Sequence, residues 1–236
     1  MIAPRHILGT FDEALASLRN NVLMMSSLTE RSLERAIKGL FQRDDDLCAH
    51  AIADDEEIDQ LEIQIDRDGV AILLRFQPVA SDLRRVVAAM KLSSNLERMA
   101  DQCVTIAKLV QAGGNDEPGA EGVRSTLEEM GRRGERMLEA ATDALTHRDA
   151  ERAQQLDQLD NLVDDLNRSV VEQVLAIGGN HARREWGLRM VLAARALERI
   201  ADNAVDIAEQ ASYVVTGELR EFSDASHPDK RSGEAA

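Results

Sequence analysis

The sequence predicts an all-α fold: two tandem three-helix bundles made from six long helices. Three observations predict it. The four prolines, Pro4, Pro78, Pro118 and Pro228, leave long tracts without a breaker, and Ala, Leu, Glu, Arg and Gln fill those tracts. Runs of alternating β-branched and aromatic residues are absent. Apolar residues recur at spacings of three and four, as in Trp186, Met190, Ala193, Leu197, Ile200 and Ala204, the stripe a helix turns toward a core.

Punctuation then places each helix. The first is expected from about Thr10 to Phe41, ending near Gly39, and the Arg43–Asp46 cluster caps the second. The second continues to Gln77, where Pro78 breaks it and Ser81 or Asp82 caps the third. The third stops at Gly113–Gly114–Asn115. After Pro118–Gly119, a fourth runs from about Glu121 to Thr146, weakened by Gly131 and Gly134. Asp149 is expected to cap a fifth that ends at Gly178–Gly179–Asn180, and the sixth spans about Ala182 to Thr216. Ser223 to Ala236 is polar and reads as a disordered tail. Helices this long exceed the average of about 11–12 residues, so they are expected to pack lengthwise in bundles.

The chain also repeats itself. Leu96-Glu-Arg-Met-Ala-Asp-Gln-Cys-Val-Thr-Ile-Ala107 aligns with Leu197-Glu-Arg-Ile-Ala-Asp-Asn-Ala-Val-Asp-Ile-Ala208, with eight of twelve positions identical at an offset of 101. One helix earlier, Asp55-Glu-Glu-Ile-Asp-Gln-Leu61 matches Asp160-Asn-Leu-Val-Asp-Asp-Leu166 at an offset of 105. Six helices therefore divide into two copies of a three-helix unit. The expected organisation is a leader over 1–9, one unit over 10–114, a second over 115–217 and a polar tail over 218–236.

Charge excludes several functions. With 43 Asp plus Glu against 28 Lys plus Arg, the net charge is −15, which repels nucleic acid and anionic lipid. Four Phe, one Tyr and one Trp offer few stacking platforms for bases. No apolar run approaches the roughly 20 residues of a membrane span. Cys48 and Cys103 lie far apart with no metal spacing, and read as core residues in a reducing compartment. With no secretory signal at its start, the chain is expected in the cytoplasm. GxxxxGK[ST], GxSxG and HExxH are all missing, so nucleotide, serine and zinc hydrolysis lack their signatures.

Core packing explains why the apolar residues repeat; it does not explain the acids. Asp55/Asp59, Glu97/Asp101, Asp160/Asp164 and Glu198/Asp202 are carboxylate pairs four residues apart. That spacing stacks like charges on one helix face, where each pair costs about 0.2–0.5 kcal/mol. Such pairs are either a solvated acidic face, with Arg98 and Arg199 as counter-ions, or hard oxygen ligands for Mg²⁺, Mn²⁺, Ca²⁺ or iron. Their heptad phase sets them off the apolar stripe, so any metal is expected on the outer face of the bundle. The Glu-x-x-His motif of ferritin-like bundles is missing from both halves.

At these residues the chain resembles the PhoU family. The resemblance rests on Phe11-Asp-Glu-Ala-Leu, Asp55-x-x-Ile-Asp-x-Leu-Glu, Arg75-x-Gln-Pro-Val-Ala-Ser-Asp-Leu-Arg84 and Leu96-Glu-Arg-x-x-Asp101 in the first half. In the second it rests on Asp160-x-x-Val-Asp-x-Leu and Leu197-Glu-Arg-x-x-Asp202, so that it spans about residues 11–215. It implies two three-helix bundles in a cytoplasmic, often homodimeric protein that is not an enzyme. The implied role is negative regulation of the phosphate-starvation response and of phosphate uptake. The implied partners are the ATPase subunit of the phosphate ABC transporter and a membrane sensor histidine kinase. Some relatives bind multinuclear clusters of iron, zinc or other divalent metals. Carried over, the ligands are Asp55, Asp59, Glu97, Asp101, Asp160, Asp164, Glu198 and Asp202, with Glu62 as an extra ligand and Fe, Zn, Mn or Mg as the metal. The second half departs at Asn167, opposite Glu62, and lacks the Gln-Pro turn. Two other readings compete: a carboxylate-bridged iron or manganese metalloenzyme, which needs a general base beyond the ligands, and a purely structural helical adaptor.

Overall fold

A computed structural model describes residues 4–113, 121–147, 149, 155–177 and 181–218. Six helices account for almost all of them: α1 (Pro4–Gln42), α2 (Asp45–Phe76), α3 (Ala80–Gln111), α4 (Glu121–His147), α5 (Leu156–Ile177) and α6 (His181–Thr216). Among the described residues there is no strand. The all-α expectation holds. The expected tail from Ser223 onward, and the stop at 178–180, lie outside the described residues.

Local chemistry accounts for most of the boundaries. Asp44 adopts an extended backbone (φ −98°, ψ 102°) and accepts a hydrogen bond from the Leu47 N–H at 2.9 Å, capping α2. Asp45 and Asp46 follow in the first turn, where negative charge suits the helix dipole. α2 ends as Gln77 turns left-handed (φ 49°) and donates its N–H to the Leu73 carbonyl, after which Pro78 bars continuation. Two boundaries differ from expectation. α1 begins at Pro4, six residues ahead of the expected Thr10 and inside the expected leader, and it ends at Gln42, one residue beyond Phe41, running through Gly39, where an added Cβ would stand 2.6 Å from Cys48 Sγ. The cap of α3 is Val79, with no side-chain hydrogen bond; Asp82 instead pairs with Arg85 at 3.1 Å. The cap expected at Asp149 adjoins undescribed residues, and α5 begins at Leu156.

Within each half the three helices pack on one another, α1–α2–α3 and α4–α5–α6. The halves join chiefly where α3 lies along α6, with a lesser seam between α1 and α4. Leu96 and Leu197, equivalent in the sequence repeat, are both buried on the third helix of their bundles. The α1–α4 seam is held by Ser26 and Thr142 hydroxyls 2.7 Å apart, and by Arg124 donating to the Phe41 carbonyl at 2.8 Å. Cys48 and Cys103 are free and buried. Burial raises their thiols to about 11 and about 12, so both stay protonated core groups.

Candidate metal centre

Bundle geometry turns the acidic pairs of α2 toward those of α3. Asp55 and Glu62 are half-buried on α2 with Asp59 exposed between them, and Glu97 is half-buried on α3 one turn from exposed Asp101. Three of the five, Glu97, Asp55 and Glu62, are raised by burial and by neighbouring acids. Burial, then Asp101, Glu62, Asp59 and Asp55 push Glu97 up to about 7, and every side chain that shifts it is a carboxylate. Asp55 rises to about 6 through burial, Asp59 and Asp101, with Lys108 partly opposing. Glu62 is raised by burial, Asp66 and Asp59, against a Ser94 hydrogen bond and Arg98.

The second bundle brings Asp164 of α5 to Glu198 and Asp202 of α6. Glu198 is raised by burial and by Asp202 and Asp164, opposed by Arg195 and Arg199. Asp202 is raised by burial and then by Asp164 and Asp206, opposed by the same two arginines. Glu198 forms an ion pair with Arg195, whereas no cation offsets the shift of Glu97 in the first bundle. Asp160 is buried near the start of α5, and Asn167, the counterpart of Glu62, is half-buried. One expectation needs correcting. Glu198 is not on an outer face: it is only 8% exposed, because it lies between α6 and α5 and not on the solvent side of α6.

Do these residues fit a cation? Asp55 Oδ1 and Glu198 Oε2 are buried without a hydrogen-bond partner, a costly state for an acceptor that an ion would relieve. The all-oxygen donor set suits a hard cation. Among the described residues no three or more acidic, His or Cys side chains stand close enough to hold an ion as placed. The faces therefore have the donors of a cation site, while ligation requires their side chains to draw together.

A further acidic face escaped the sequence reading. Glu30 and Glu34 of α1 line a cavity of about 290 Å³ with Glu135 and Glu139 of α4. Glu30 is raised by burial, against a Thr142 hydrogen bond, and also by Glu139 and Asp143; Glu135 is raised by burial and Glu34, against Lys38. Both pairs have the four-residue spacing of the recognised ones, a signal that was there to be read.

The class is thus a tandem-repeat, all-helical protein with a carboxylate face in each bundle, and no described helix long and apolar enough to cross a membrane. Comparison with known proteins supplies the family. The PhoU domain model matches residues 22–110 and 127–211, one match in each bundle. The chain is 34% identical over 218 residues to the phosphate-specific transport system accessory protein PhoU homolog of Zymomonas mobilis, covering 90% of this chain and 89% of the relative. To the phosphate-specific transport system accessory protein PhoU of Escherichia coli it is 31% identical over 217 residues, covering 91% and 88%. Among solved structures it is similar to PhoU from Pseudomonas aeruginosa (TM-score 0.81, 29% identity, 88% of this chain and 100% of that one). It is likewise similar to the phosphate transport system regulatory protein PhoU from Streptococcus pneumoniae (TM-score 0.80, 27% identity, 89% and 99%). The chain belongs to the PhoU family.

Proposed function

We propose that this protein is a negative regulator of the phosphate-starvation response and of phosphate uptake, acting through contacts with other proteins. The partners in this reading are the ATPase subunit of a phosphate ABC transporter and a sensor histidine kinase, met in the cytoplasm by a homodimer. The observation that carries it is the family match falling once on each bundle, together with relatives named as accessory and regulatory proteins of phosphate transport.

The acidic faces give the reading a physical handle. A multivalent cation such as Fe, Zn²⁺, Mn²⁺ or Mg²⁺ would be held by Asp55, Asp59, Glu62, Glu97 and Asp101 in the first bundle. In the second, the ligands would be Asp160, Asp164, Glu198 and Asp202. When bound it supplies positive charge between the second and third helices. The chain's own residues set the register of those helices, keep water from Asp55 and Glu198, and fix the surface each bundle shows to a partner. Turnover has no part in this reading, since the acids act as ligands.

Affinity purification from phosphate-replete cells tests it. The transporter ATPase or the kinase should co-purify with the wild-type chain, and purified protein should not hydrolyse phosphoesters or consume peroxide. Recovery of neither partner, with turnover by the metal-loaded protein, would favour the metalloenzyme.

A further inference from the structure

One cavity has a composition at odds with the rest of this acidic molecule. It measures about 120 Å³, against the roughly 10–15 Å³ that a single water needs. Its wall is drawn from the ends of both bundles: the C-terminal turns of α1 and α3, the α1–α2 turn with the start of α2, the first two turns of α4, and the second and third turns of α6. Three arginines are among the residues that line it, Arg43 from the turn, Arg124 from α4 and Arg189 from α6, with one acidic residue, Asp45. Trp186 forms part of the apolar floor and is 7% exposed.

We infer that this junction cavity binds a compact oxyanion of the phosphate class, either free or as the phosphoryl end of a larger molecule. Guanidinium forks present N–H donors in pairs, the geometry that oxyanions accept best. Arg189 is largely sheltered, its side chain 16% exposed, and it is braced at 3.2 Å by Glu185 one turn earlier on α6. Arg124 is braced by Glu128 and by the Phe41 carbonyl, which holds its guanidinium at the junction. The charge of −15 does not exclude an anion here, because exposed charges farther than about 8 Å are largely screened at physiological ionic strength.

Asp45 refines the ligand. Beside an anion, a carboxylate repels a fully deprotonated guest such as sulfate, but accepts a hydrogen bond from a guest that keeps a proton. Phosphate near neutral pH keeps one. The site therefore discriminates by proton content, and its occupant ties α1 and α3 of one bundle to α4 and α6 of the other. This inference does not depend on the partners proposed above, and it is tested on the purified full-length chain alone.

Trp186 is the only tryptophan, so its fluorescence reports the cavity directly. Titration with sodium phosphate, at ionic strength held constant with chloride, should give a saturable change, and sulfate should give little. Pyrophosphate and a nucleoside triphosphate form parallel arms. Tighter response to free phosphate identifies the ion itself as ligand, and tighter response to the larger molecules identifies their phosphoryl end. Arg189→Gln should weaken binding by about tenfold or more, the loss expected for a charge-assisted hydrogen bond. Asp45→Asn should bring sulfate close to phosphate. Arg43→Gln, on an exposed turn, serves if Arg189→Gln loses helical circular dichroism. No saturable response in any arm, or the same curves for wild type and the folded arginine variants, overturns the inference.

Discussion

Asp54 and Asp55 adjoin in sequence and stand in opposite electrostatic conditions. Arg31 Nη2 lies 2.6 Å from Asp54 Oδ1, and Arg35 Nη1 lies 2.5 Å from its Oδ2. Asp55 has a buried oxygen without a partner and a pKa raised to about 6. Successive residues on a helix are turned about 100° apart, so α2 gives one aspartate to the arginines of α1 and the next to the acids of α3. The first closes the bundle; the second opens the candidate site.

That difference makes a stability prediction with an order to it. Asp54→Ala leaves two guanidiniums that water already reaches, at 43% and 30% side-chain exposure, and should cost about 1–3 kcal/mol. Replacing Arg31 and Arg35 together leaves a buried carboxylate uncompensated and should cost more, about 3–5 kcal/mol. Denaturant midpoints check it. Equal losses, or the reverse order, would contradict the pairing.

The acid cluster of α2 and α3 predicts a pH dependence of unusual sign. Glu97 and Asp55 hold protons in the folded state up to about 7 and about 6, where the unfolded chain has released them. A folded state that binds more protons loses stability as pH rises, and the loss runs from the ordinary carboxylate range, near 4, up to about 7. Without divalent ions, melting temperature should therefore fall between pH 5 and pH 8, and Glu97→Gln should flatten the slope. A wild-type chain that becomes more stable over that interval would refute the cluster as described.

A divalent ion should substitute for those protons. Mn²⁺, Fe or Zn²⁺ should raise the melting temperature at neutral pH through linkage, with smaller gains in Asp101→Ala and Asp202→Ala. The first bundle should give the larger effect, because Arg195 and Arg199 already offset the charge of the second. Elemental analysis showing no metal, with melting unchanged across the ions, would return the acids to a solvated face.

How much of this was legible in the sequence follows physical lines. Helices and their repeat were readable because heptad stripes are local, and the Asp44 cap because capping is decided within four residues. The failed cap at Ser81 or Asp82 shows the limit: the left-handed Gln77 and the proline after it set the chain's entry to α3 without a side-chain cap. The acids at Asp55, Glu97, Glu198 and Asp202 stand out in the sequence by their four-residue spacing and their repetition in both halves, and the spacing alone leaves open whether they are a solvated face or ligands. Burial of Glu198, and the meeting of Glu30 with Glu139, depend on how helices distant in sequence dock, and spacing along one helix does not encode that. The same holds for Arg43, Arg124 and Arg189, which are spread over 146 positions and meet only at the junction.

Two helical glycines should respond oppositely to alanine. At Gly134 of α4 an added Cβ meets only Ile200 Cγ2 at 3.5 Å, an ordinary contact, so helix propensity prevails and Gly134→Ala should stabilise by about 0.5–1 kcal/mol. At Gly187 of α6 the Cβ would stand 2.6 Å from Val174 Cγ1, so the Val174 side chain of α5 must shift from its place against α6. Gly187→Ala should destabilise by about 1–3 kcal/mol despite the same propensity gain. Thermal melts of the two variants decide it, and a shared sign would mean the α5–α6 contact is looser than described.

The most direct test of the regulatory reading is expression of phosphate-starvation genes in phosphate-replete medium after deletion of this chain's gene. The account predicts that those genes are switched on, that the wild-type chain restores repression, and that the effect vanishes when the sensor kinase is also removed. Genes that stay repressed in the deletion strain would contradict it.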